Sequence, residues 1–388
     1  MINKNLLLLT LSHVFGFTVP PVTIFLSGII GTQISPIKSL SLLPIALSYI
    51  GTAVFTIVAA KIMSIIGRKL GFILSAIVST LSSLLAAYSV LNQNFILFNF
   101  SCFSFGFGIA FGHQYRFAAA ESVEKDQAPK AISILFLAGI ASALIGPNLA
   151  TYTKSFISEQ LYVGSYLSLA ALTFTPIIFL LFYKNNVKLE TGFKYKGRGY
   201  LELISQPRFL QSIVTSALAF AIMSFLMTAT PVSMHIMEKM SLEKTGIVIQ
   251  IHIVCMFLPS LITGLLIKKH GTSLIIYTGV TFFLITIGMS LFEQTFANYL
   301  VALIFLGLGW NFLYISGTSL LILTYKEEEK FKAQGFNDLI VFSIQGIASL
   351  SAGILLSLTS WKTMNLICIP LLVLIVYSTF RADILSKK

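Results

Sequence analysis

Few side chains in this chain can do acid–base chemistry, and most of those interrupt long apolar runs. An ionisable group inside such a run is costly and is commonly functional. Histidine exchanges protons near neutral pH because its unperturbed pKa is about 6.5, so each buried histidine is either a proton relay or a hydrogen-bonded packing residue. The ionisable residues in or beside apolar runs are His13, His113, Arg116, Glu121, His235, His252 and Asp338.

His113 and Arg116 are three residues apart and share one face if the segment is helical. A guanidinium in an apolar run needs an acceptor, and Glu121 and Asp338 are the carboxylates expected at a similar depth. The pairing would be either a structural ion pair or a gate that clamps a substrate. With His13, these four residues form the predicted gating or coupling set.

A second group contains aromatic and amide side chains. Trp310 and Tyr314 are four residues apart near the middle of one apolar run, and Asn311 lies beside them. An aromatic wall next to polar groups suits a flat ligand with polar edges. The alternative is ordinary helix packing. Further predicted substrate contacts are Thr230 and Ser233 around Pro231, and position 16, where Gly16 separates Phe15 from Phe17.

The sequence offers no catalytic centre. It contains no phosphate-binding glycine loop and no nucleophile–base pair, and Cys102, Cys255 and Cys368 lack the spacing of a metal site or a disulfide framework. No segment is large enough for the soluble nucleotide domain of an ATP-driven pump. We therefore predict a protein that is not an enzyme and needs no cofactor.

The composition requires an apolar solvent around the protein. Of 388 residues, 56% are hydrophobic and only 10% are charged, whereas soluble domains are about a quarter charged. A bilayer accommodates such a chain because it demands only internal backbone hydrogen bonding. The net charge of +12 falls in short clusters between apolar runs, which argues against nucleic acid as a partner and indicates membrane topology.

Apolar runs of about 20 residues, the length that crosses a bilayer, predict an all-α membrane protein. The interruption near residues 184–208 divides it into bundles at 1–183 and 209–388, joined by a cytoplasmic linker. The twelve predicted spans are 5–30, 39–61, 70–91, 95–118, 131–152, 163–183, 209–236, 245–267, 272–292, 298–324, 334–359 and 363–380.

Basic residues predict the orientation. Of 26 Lys and Arg residues, 20 fall on the side that holds the N-terminus, 5 fall on the opposite side, and Arg116 lies within a span. Cytoplasmic loops carry the excess of Lys and Arg. We therefore expect an inner-membrane, multi-pass protein with both termini in the cytoplasm.

The two halves share short matches in the same order. Pro21-Val22-Thr23 recurs as Pro231-Val232-Ser233, Gly67 as Gly271, and Gly106-Phe107-Gly108 as Gly307-Leu308-Gly309, at offsets of 210, 204 and 201 residues. Gly139-Ile140-Ala141-Ser142 also resembles Gly346-Ile347-Ala348-Ser349. Because each half holds an even number of spans, the halves would be parallel repeats, an arrangement in which the substrate site lies between them near mid-membrane.

On these grounds the chain resembles the major facilitator superfamily along essentially its full length. The family carries a Gly-x-x-x-Asp-Arg-x-Gly-Arg-Lys loop after its second helix, and Gly67-Arg68-Lys69 matches the end of that motif. Ser64 and Ile65 replace its acidic residue and first arginine, which removes the acidic member of a charge-paired cytoplasmic latch. The alternative is that these residues are simple anchoring charges.

Two further traces bear on the branch of the family. Gly146-Pro147 resembles the antiport motif of span 5, although such a pair also kinks a helix for structural reasons. The span-4 arginine of proton-driven drug exporters is absent near Ser101. Segments 113–122 and 335–342 resemble a bacterial branch that includes riboflavin uptake proteins.

The resemblance implies a secondary active transporter that moves a small organic solute by alternating access. Import of riboflavin or a similar flat heterocycle is the leading hypothesis, with protons or sodium as possible coupling ions and a monomer as the expected state. The alternatives are a proton-coupled drug, metabolite or siderophore transporter and, in a different class, a membrane receptor or enzyme without transport.

Overall fold

A computed structural model describes residues 3–124, 128–157, 160–184, 198–326 and 329–385. All of the regular secondary structure in these residues is helical. The α-helices are α1 (Lys4–Gly16), α2 (Val19–Ile34), α3 (Leu43–Leu91), α4 (Phe95–Gly112), α5 (Tyr115–Glu121), α6 (Ala128–Thr153), α7 (Val163–Phe182), α8 (Tyr200–Ser205), α9 (Pro207–Pro231), α10 (Leu242–Phe257), α11 (Ser260–His270), α12 (Thr272–Ser290), α13 (Phe296–Ile322), α14 (Lys330–Leu358), α15 (Trp361–Ile367) and α16 (Ile369–Leu385).

The helices confirm the predicted membrane architecture. In the described residues, 11 helical stretches are long and apolar enough to cross a membrane. The number rises to 12 if a bent pair of shorter helices counts as one span. The first span, Lys4–Ile34, joins α1 and α2. The seventh, Pro207–Met237, extends α9 through a π-helical turn at Val232–Met237. The predicted linker is described only from residue 198 onward, where it contains α8.

The bent pair is the predicted eighth span. Its two parts, α10 and α11, are separated by a bend of 42°. Pro259 lies at the break, and proline both lacks the N–H that would continue the helical ladder and clashes with the preceding turn. One span is therefore built from two short helices.

Two glycines confirm the repeat predicted from the sequence. Gly67 has φ 82° and ψ 166°, and Gly271 has φ 82° and ψ 156°. In the described chain these are the only glycines at positive φ. This backbone region is essentially restricted to glycine. The same turn thus follows the second span and the eighth.

The Gly-x-Gly matches also occupy equivalent positions. A methyl group on Gly106 would lie 2.4 Å from the backbone carbon of Gly51 in the second span, and one on Gly307 would lie 2.7 Å from the carbonyl oxygen of His252 in the eighth. Position 252 follows position 51 by the same 201 residues that separate the two glycines. Close backbone approach between neighbouring spans therefore recurs in both halves.

The chain divides into two compact units, one comprising 1–192 with 231–250 and the other 193–230 with 251–388. The first has an apolar core of α1, α3, α4, α5, α6 and α7 side chains, including Leu9, Phe72 and Phe111. The second contains a smaller cluster around Phe209, Ile213 and Leu321. The division at 183 and 209 stays a prediction.

The turn at Gly271 yields a stability prediction. No atom lies within 4 Å of the position of an added methyl group, so Gly271→Ala introduces backbone strain without a clash. We expect it to lower the free energy of unfolding by about 1–3 kcal/mol, measured by thermal or denaturant unfolding of the purified protein.

Gly264→Ala is the matched control. Gly264 has equally open surroundings but lies inside helix α11, where alanine is favoured by about 0.5–1 kcal/mol. Equal stability of the Gly271→Ala protein and the parent would show that the positive φ is not required.

Candidate functional site

An imidazole and aromatic cluster lies in the first unit. The His13 ring of α1 stacks on Phe17 with 4.7 Å between ring centroids and lies 5.3 Å from the Tyr115 ring. Phe17 also meets His113 edge-on at 6.3 Å. Tyr115 in turn stacks on Phe72 at 3.9 Å. The structure thus brings the predicted residues His13 and His113 into contact with the same phenylalanine.

A small cavity adjoins this cluster. Its volume is about 20 Å³, which is enough for one water molecule and too small for a drug-sized ligand. Position 16, predicted as a substrate contact, contributes Gly16 to the wall. The polar side chains on its wall are those of Ser12, His13, Ser75, Ser79, Tyr115 and Thr173.

The carboxylate of Glu121 binds the guanidinium of Arg68, and its predicted pairing with Arg116 stays a prediction. Both oxygens of Glu121 accept hydrogen bonds from the guanidinium of Arg68, at 2.5 Å each. Arg116 is half-buried in α5, one turn before Glu121. The sequence had assigned Arg68 only to the glycine-arginine motif, so the structure identifies that motif's partner.

A carboxylate in the second unit is bound in the same way. Glu329 lies just before α14, and its side chain is 1% exposed. Its oxygens accept from the Arg198 guanidinium at 2.8 and 2.6 Å, from the Arg198 backbone N–H at 2.9 Å and from the Lys326 backbone N–H at 3.0 Å. Hydrogen bonding from Arg198 holds the pKa of Glu329 well below its ordinary value of 4.5.

This pair yields a prediction for stability and its pH dependence. Glu329→Gln removes a buried charged acceptor, and we expect a loss of about 1.5–3 kcal/mol in the free energy of unfolding at neutral pH. Because the pKa of Glu329 is lowered in the folded state, its stabilisation is complete above pH 4.5 and is lost as the pH falls through the lowered pKa. Unfolding curves should therefore converge only in strong acid.

Glu202→Gln is the matched control, because Glu202 is an exposed carboxylate on the neighbouring helix α8. Its replacement should change stability by less than about 0.5 kcal/mol. A Glu329→Gln protein as stable as the Glu202→Gln protein at pH 7 would contradict the assignment.

An aromatic cluster in the second unit contains the predicted pair Trp310 and Tyr314. Their rings stack with 5.0 Å between centroids and an angle of 22°. Phe220 of α9 meets both edge-on, at 5.0 and 4.9 Å, and Phe257 and Phe342 complete the group. Trp310 is buried, whereas Tyr314 is only partly buried. A ligand would therefore reach the cluster through Tyr314, with Trp310 behind it.

Asn311 serves the bend of the eighth span. Its amide nitrogen donates to the Met256 carbonyl and to Ser260 Oγ, both at 2.7 Å, and its Oδ1 accepts from Thr263 Oγ1 at 2.7 Å. Both amide hydrogens are thus used where the break leaves backbone groups unpaired. As a substrate contact, Asn311 stays a prediction.

The other predicted residues lie in separate surroundings. Thr230 is buried and donates to the Leu226 carbonyl at 2.8 Å, and Ser233 is buried in the π-helical turn. Asp338 accepts from Asn337 Nδ2 at 3.1 Å on α14. These three residues stay predictions as site residues.

The two other histidines that the sequence places in or beside apolar runs are bonded to backbone carbonyls. His235 Nδ1 pairs with the Met240 oxygen and His252 Nδ1 with the Leu303 oxygen, each at 2.7 Å. Both contacts fit the packing alternative stated for buried histidines. Among the described residues, no group of three His, Cys, Asp or Glu side chains is placed to hold a metal ion.

Sequence reasoning missed Phe220, Arg198 and Glu329. Phe220 is one of 33 phenylalanines, and its neighbours in sequence do not distinguish it. Arg198 and Glu329 are 131 positions apart in segments interpreted as loops. The pairing of Arg68 with Glu121 was also not predicted, but the glycine-arginine motif had already singled out Arg68 in the sequence.

Comparison with known proteins places the chain in a family. The family model described as Major Facilitator Superfamily matches residues 6–292 and 232–383. The riboflavin transporter RfnT of Brucella anthropi is 32% identical over 374 residues, covering 96% of this chain and 94% of RfnT. The uncharacterized MFS-type transporter YddS of Bacillus subtilis is 27% identical over 363 residues, covering 89% and 83% of the two chains.

Solved structures show the same fold. A mutant of the nucleoside transporter NupG superposes with a TM-score of 0.72 at 14% identity, covering 98% of this chain and all of NupG. A bacterial homologue of the human lysosomal transporter Spinster, inward-facing and unoccupied, superposes with a TM-score of 0.70 at 13% identity, covering 97% of each chain.

Proposed function

The chain belongs to the Major Facilitator Superfamily, and we propose that it imports riboflavin or a similar flat heterocycle. It is a multi-pass membrane transporter that binds a small-molecule substrate. We further propose that transport is inward and that both termini lie in the cytoplasm.

The aromatic cluster of the second unit carries the substrate proposal. Tyr314 presents a partly buried ring that is stacked on Trp310 and braced by Phe220. Ring systems held in this way favour offset stacking with another flat π-system. The indole N–H of Trp310 finds no acceptor among the described residues, so a heterocycle with a carbonyl or ring nitrogen at its edge could supply one. Similarity to RfnT supports the same class of substrate.

Riboflavin uptake tests the proposal directly. Expression of the chain in a bacterium that requires riboflavin and lacks its own uptake system should restore growth at low riboflavin and allow accumulation of the labelled vitamin. Lumichrome, which keeps the ring system without the sugar chain, should compete because stacking involves the ring. Normal membrane abundance without uptake would reject riboflavin, and faster loss of preloaded riboflavin would indicate export.

The Tyr314 ring yields a quantitative prediction. Removing one stacking partner costs about 0.5–1.5 kcal/mol beyond lost burial, which is roughly a fivefold change in affinity. Tyr314→Ala should therefore raise the Kd for the substrate about fivefold, and Tyr314→Phe should stay close to the parent. Binding is measured with the purified protein by quenching of flavin fluorescence.

Tyr377→Ala provides the control, because Tyr377 is 59% exposed on the helix α16. It should bind substrate like the parent. If Tyr314→Ala binds as tightly as the Tyr377→Ala protein, the cluster is a packing element and not a binding surface.

A further inference from the structure

We propose that the side-chain amide of Gln345 binds the imide edge of the substrate, so that the transporter selects flat heterocycles with a ring –CO–NH–CO– group. The riboflavin ring system carries this group at one end, with N3–H between two carbonyls. The inference rests on the proposed transport function and adds the residue that determines substrate specificity.

Gln345 lies one helical turn from the aromatic cluster of the second unit. Phe220 of α9 meets Phe342 of α14 edge-on, with 5.8 Å between ring centroids. Ser224 follows Phe220 by four residues and Gln345 follows Phe342 by three, spacings that keep each pair on one helix face. Because one turn rises only about 5.4 Å, a tricyclic ring stacked on Tyr314 is long enough to reach from the aromatic rings to the amide.

The amide of Gln345 keeps a donor and an acceptor for a ligand. The residue is 4% exposed, and its one hydrogen bond within the described residues runs from Nε2 to Ser224 Oγ at 2.8 Å. A primary amide has two N–H donors and an oxygen with two lone pairs. The second N–H and Oε1 therefore have no partner, and Oε1 is not fully enclosed by protein. Leaving such groups unpaired in a buried site is costly.

The buried amide next to Trp310 differs in this respect. Asn311 donates both of its amide hydrogens, to the Met256 carbonyl and to Ser260 Oγ, and its oxygen accepts from Thr263. Asn311 is thus occupied by the protein itself. Of these two amides, only that of Gln345 has both a hydrogen and an unpaired oxygen to offer a ligand.

One turn further on, the same two helices form a closed contact. The hydroxyls of Thr228 and Ser349 lie 3.1 Å apart and share a hydrogen bond, and both residues are 0% exposed. The polar contacts between α9 and α14 thus change from a sealed pair to an incompletely bonded amide as they approach the aromatic rings.

An imide is the ring edge that matches the free atoms of the amide. A carboxamide presents its oxygen and one N–H side by side in a plane, and an imide presents an N–H beside a carbonyl oxygen. Placed edge to edge, the imide N–H donates to Oε1 and the imide carbonyl accepts from Nε2. A hydrocarbon edge in the same position would leave both amide atoms unpaired.

The first test measures the contribution of the imide N–H to binding. Riboflavin and 3-methylriboflavin differ only in that a methyl group replaces the hydrogen on N3, and both are fluorescent. Binding to the purified parent is measured by quenching of flavin fluorescence. We expect 3-methylriboflavin to bind about tenfold more weakly, because Oε1 loses its donor. Equal affinity of the parent for the two flavins would overturn the proposal.

The second test assigns that difference to Gln345. Gln345→Leu keeps an apolar side chain at this position and removes both polar atoms. The Kd for riboflavin should rise about tenfold while that for 3-methylriboflavin changes less than about twofold, so that the ratio of the two Kd values falls to about one. Gln334→Leu is the matched control on α14, since the Gln334 amide bonds to Tyr325 instead. It should keep the ratio of the parent.

A third variant guards against poor folding of Gln345→Leu. Ser224→Ala leaves the amide in place but removes the oxygen that orients it. The Kd ratio should fall to about three, because the amide is then free to rotate. A ratio that stays at the parent value in Gln345→Leu or in Ser224→Ala would show that the amide only braces α9 against α14, and would overturn the proposal.

A smaller ring separates this proposal from the choice of riboflavin as substrate. Lumazine is a fluorescent bicyclic heterocycle with the same imide edge and no sugar chain, and 3-methyllumazine is its matched analogue. If riboflavin does not bind but lumazine binds about tenfold more tightly than 3-methyllumazine, the vitamin is rejected and the imide site stands. If riboflavin binds and methylation of N3 has no effect, the transport proposal stands and the role of Gln345 is wrong. Binding of neither ring system would overturn both.

Discussion

A polar group inside a bilayer must find its hydrogen-bond partner within the protein, because hydrocarbon offers none. Many hydroxyl side chains of this transporter follow that constraint. Ser48, Thr52, Ser83 and Thr230 each donate to a carbonyl three or four residues earlier in their own helix. Each hydroxyl hydrogen is therefore bonded within its own helix, and each hydroxyl oxygen keeps lone pairs that can accept a further hydrogen bond.

The same constraint explains how the eighth span is built. Breaking a helix at Pro259 leaves backbone groups without their helical partners. Asn311 supplies a donor to the Met256 carbonyl, and its other bonds go to Ser260 and Thr263 beyond the break. Asn311, which the sequence predicts as a substrate contact, thus bonds groups at a helix break made by a proline 52 positions earlier in the chain. Only a three-dimensional structure reveals that connection.

The architecture was largely predictable because it depends on short-range rules. Run length predicted the spans, and glycines at offsets of 201 and 204 residues predicted a repeat. The structure confirms it through matching φ values at Gly67 and Gly271. The match between residues 139–142 and 346–349 ends in a serine in each half. Ser142 donates to the Val14 carbonyl in the first span, and Ser349 shares a hydrogen bond with Thr228 in the seventh.

The candidate sites were less predictable, since their residues meet through long-range packing. The sequence identified His13 and His113 as separate ionisable groups, but nothing in it indicated that both contact Phe17. It paired Trp310 with Tyr314 correctly on one face, but not with Phe220. The sequence proposed Glu121 as an acceptor for Arg116 only because the two residues were expected at a similar depth in the membrane. Depth alone does not distinguish Arg116 from Arg68, which binds Glu121 in the structure.

Unpaired groups in such a protein differ in what they imply. A serine or threonine hydroxyl can rotate to another acceptor on its own helix, so an unpaired Thr23 or Ser216 costs little and indicates little. The N–H of Trp310 belongs to a rigid ring that stacks on Tyr314 and meets Phe220 edge-on, so rotation of the N–H alone cannot satisfy it. His252 Nε2 and Trp361 Nε1 are also buried ring nitrogens without a partner among the described residues. Trp310 differs from both because it stacks on the half-buried ring of Tyr314, and that is why it is the ring nitrogen to which we assign a ligand.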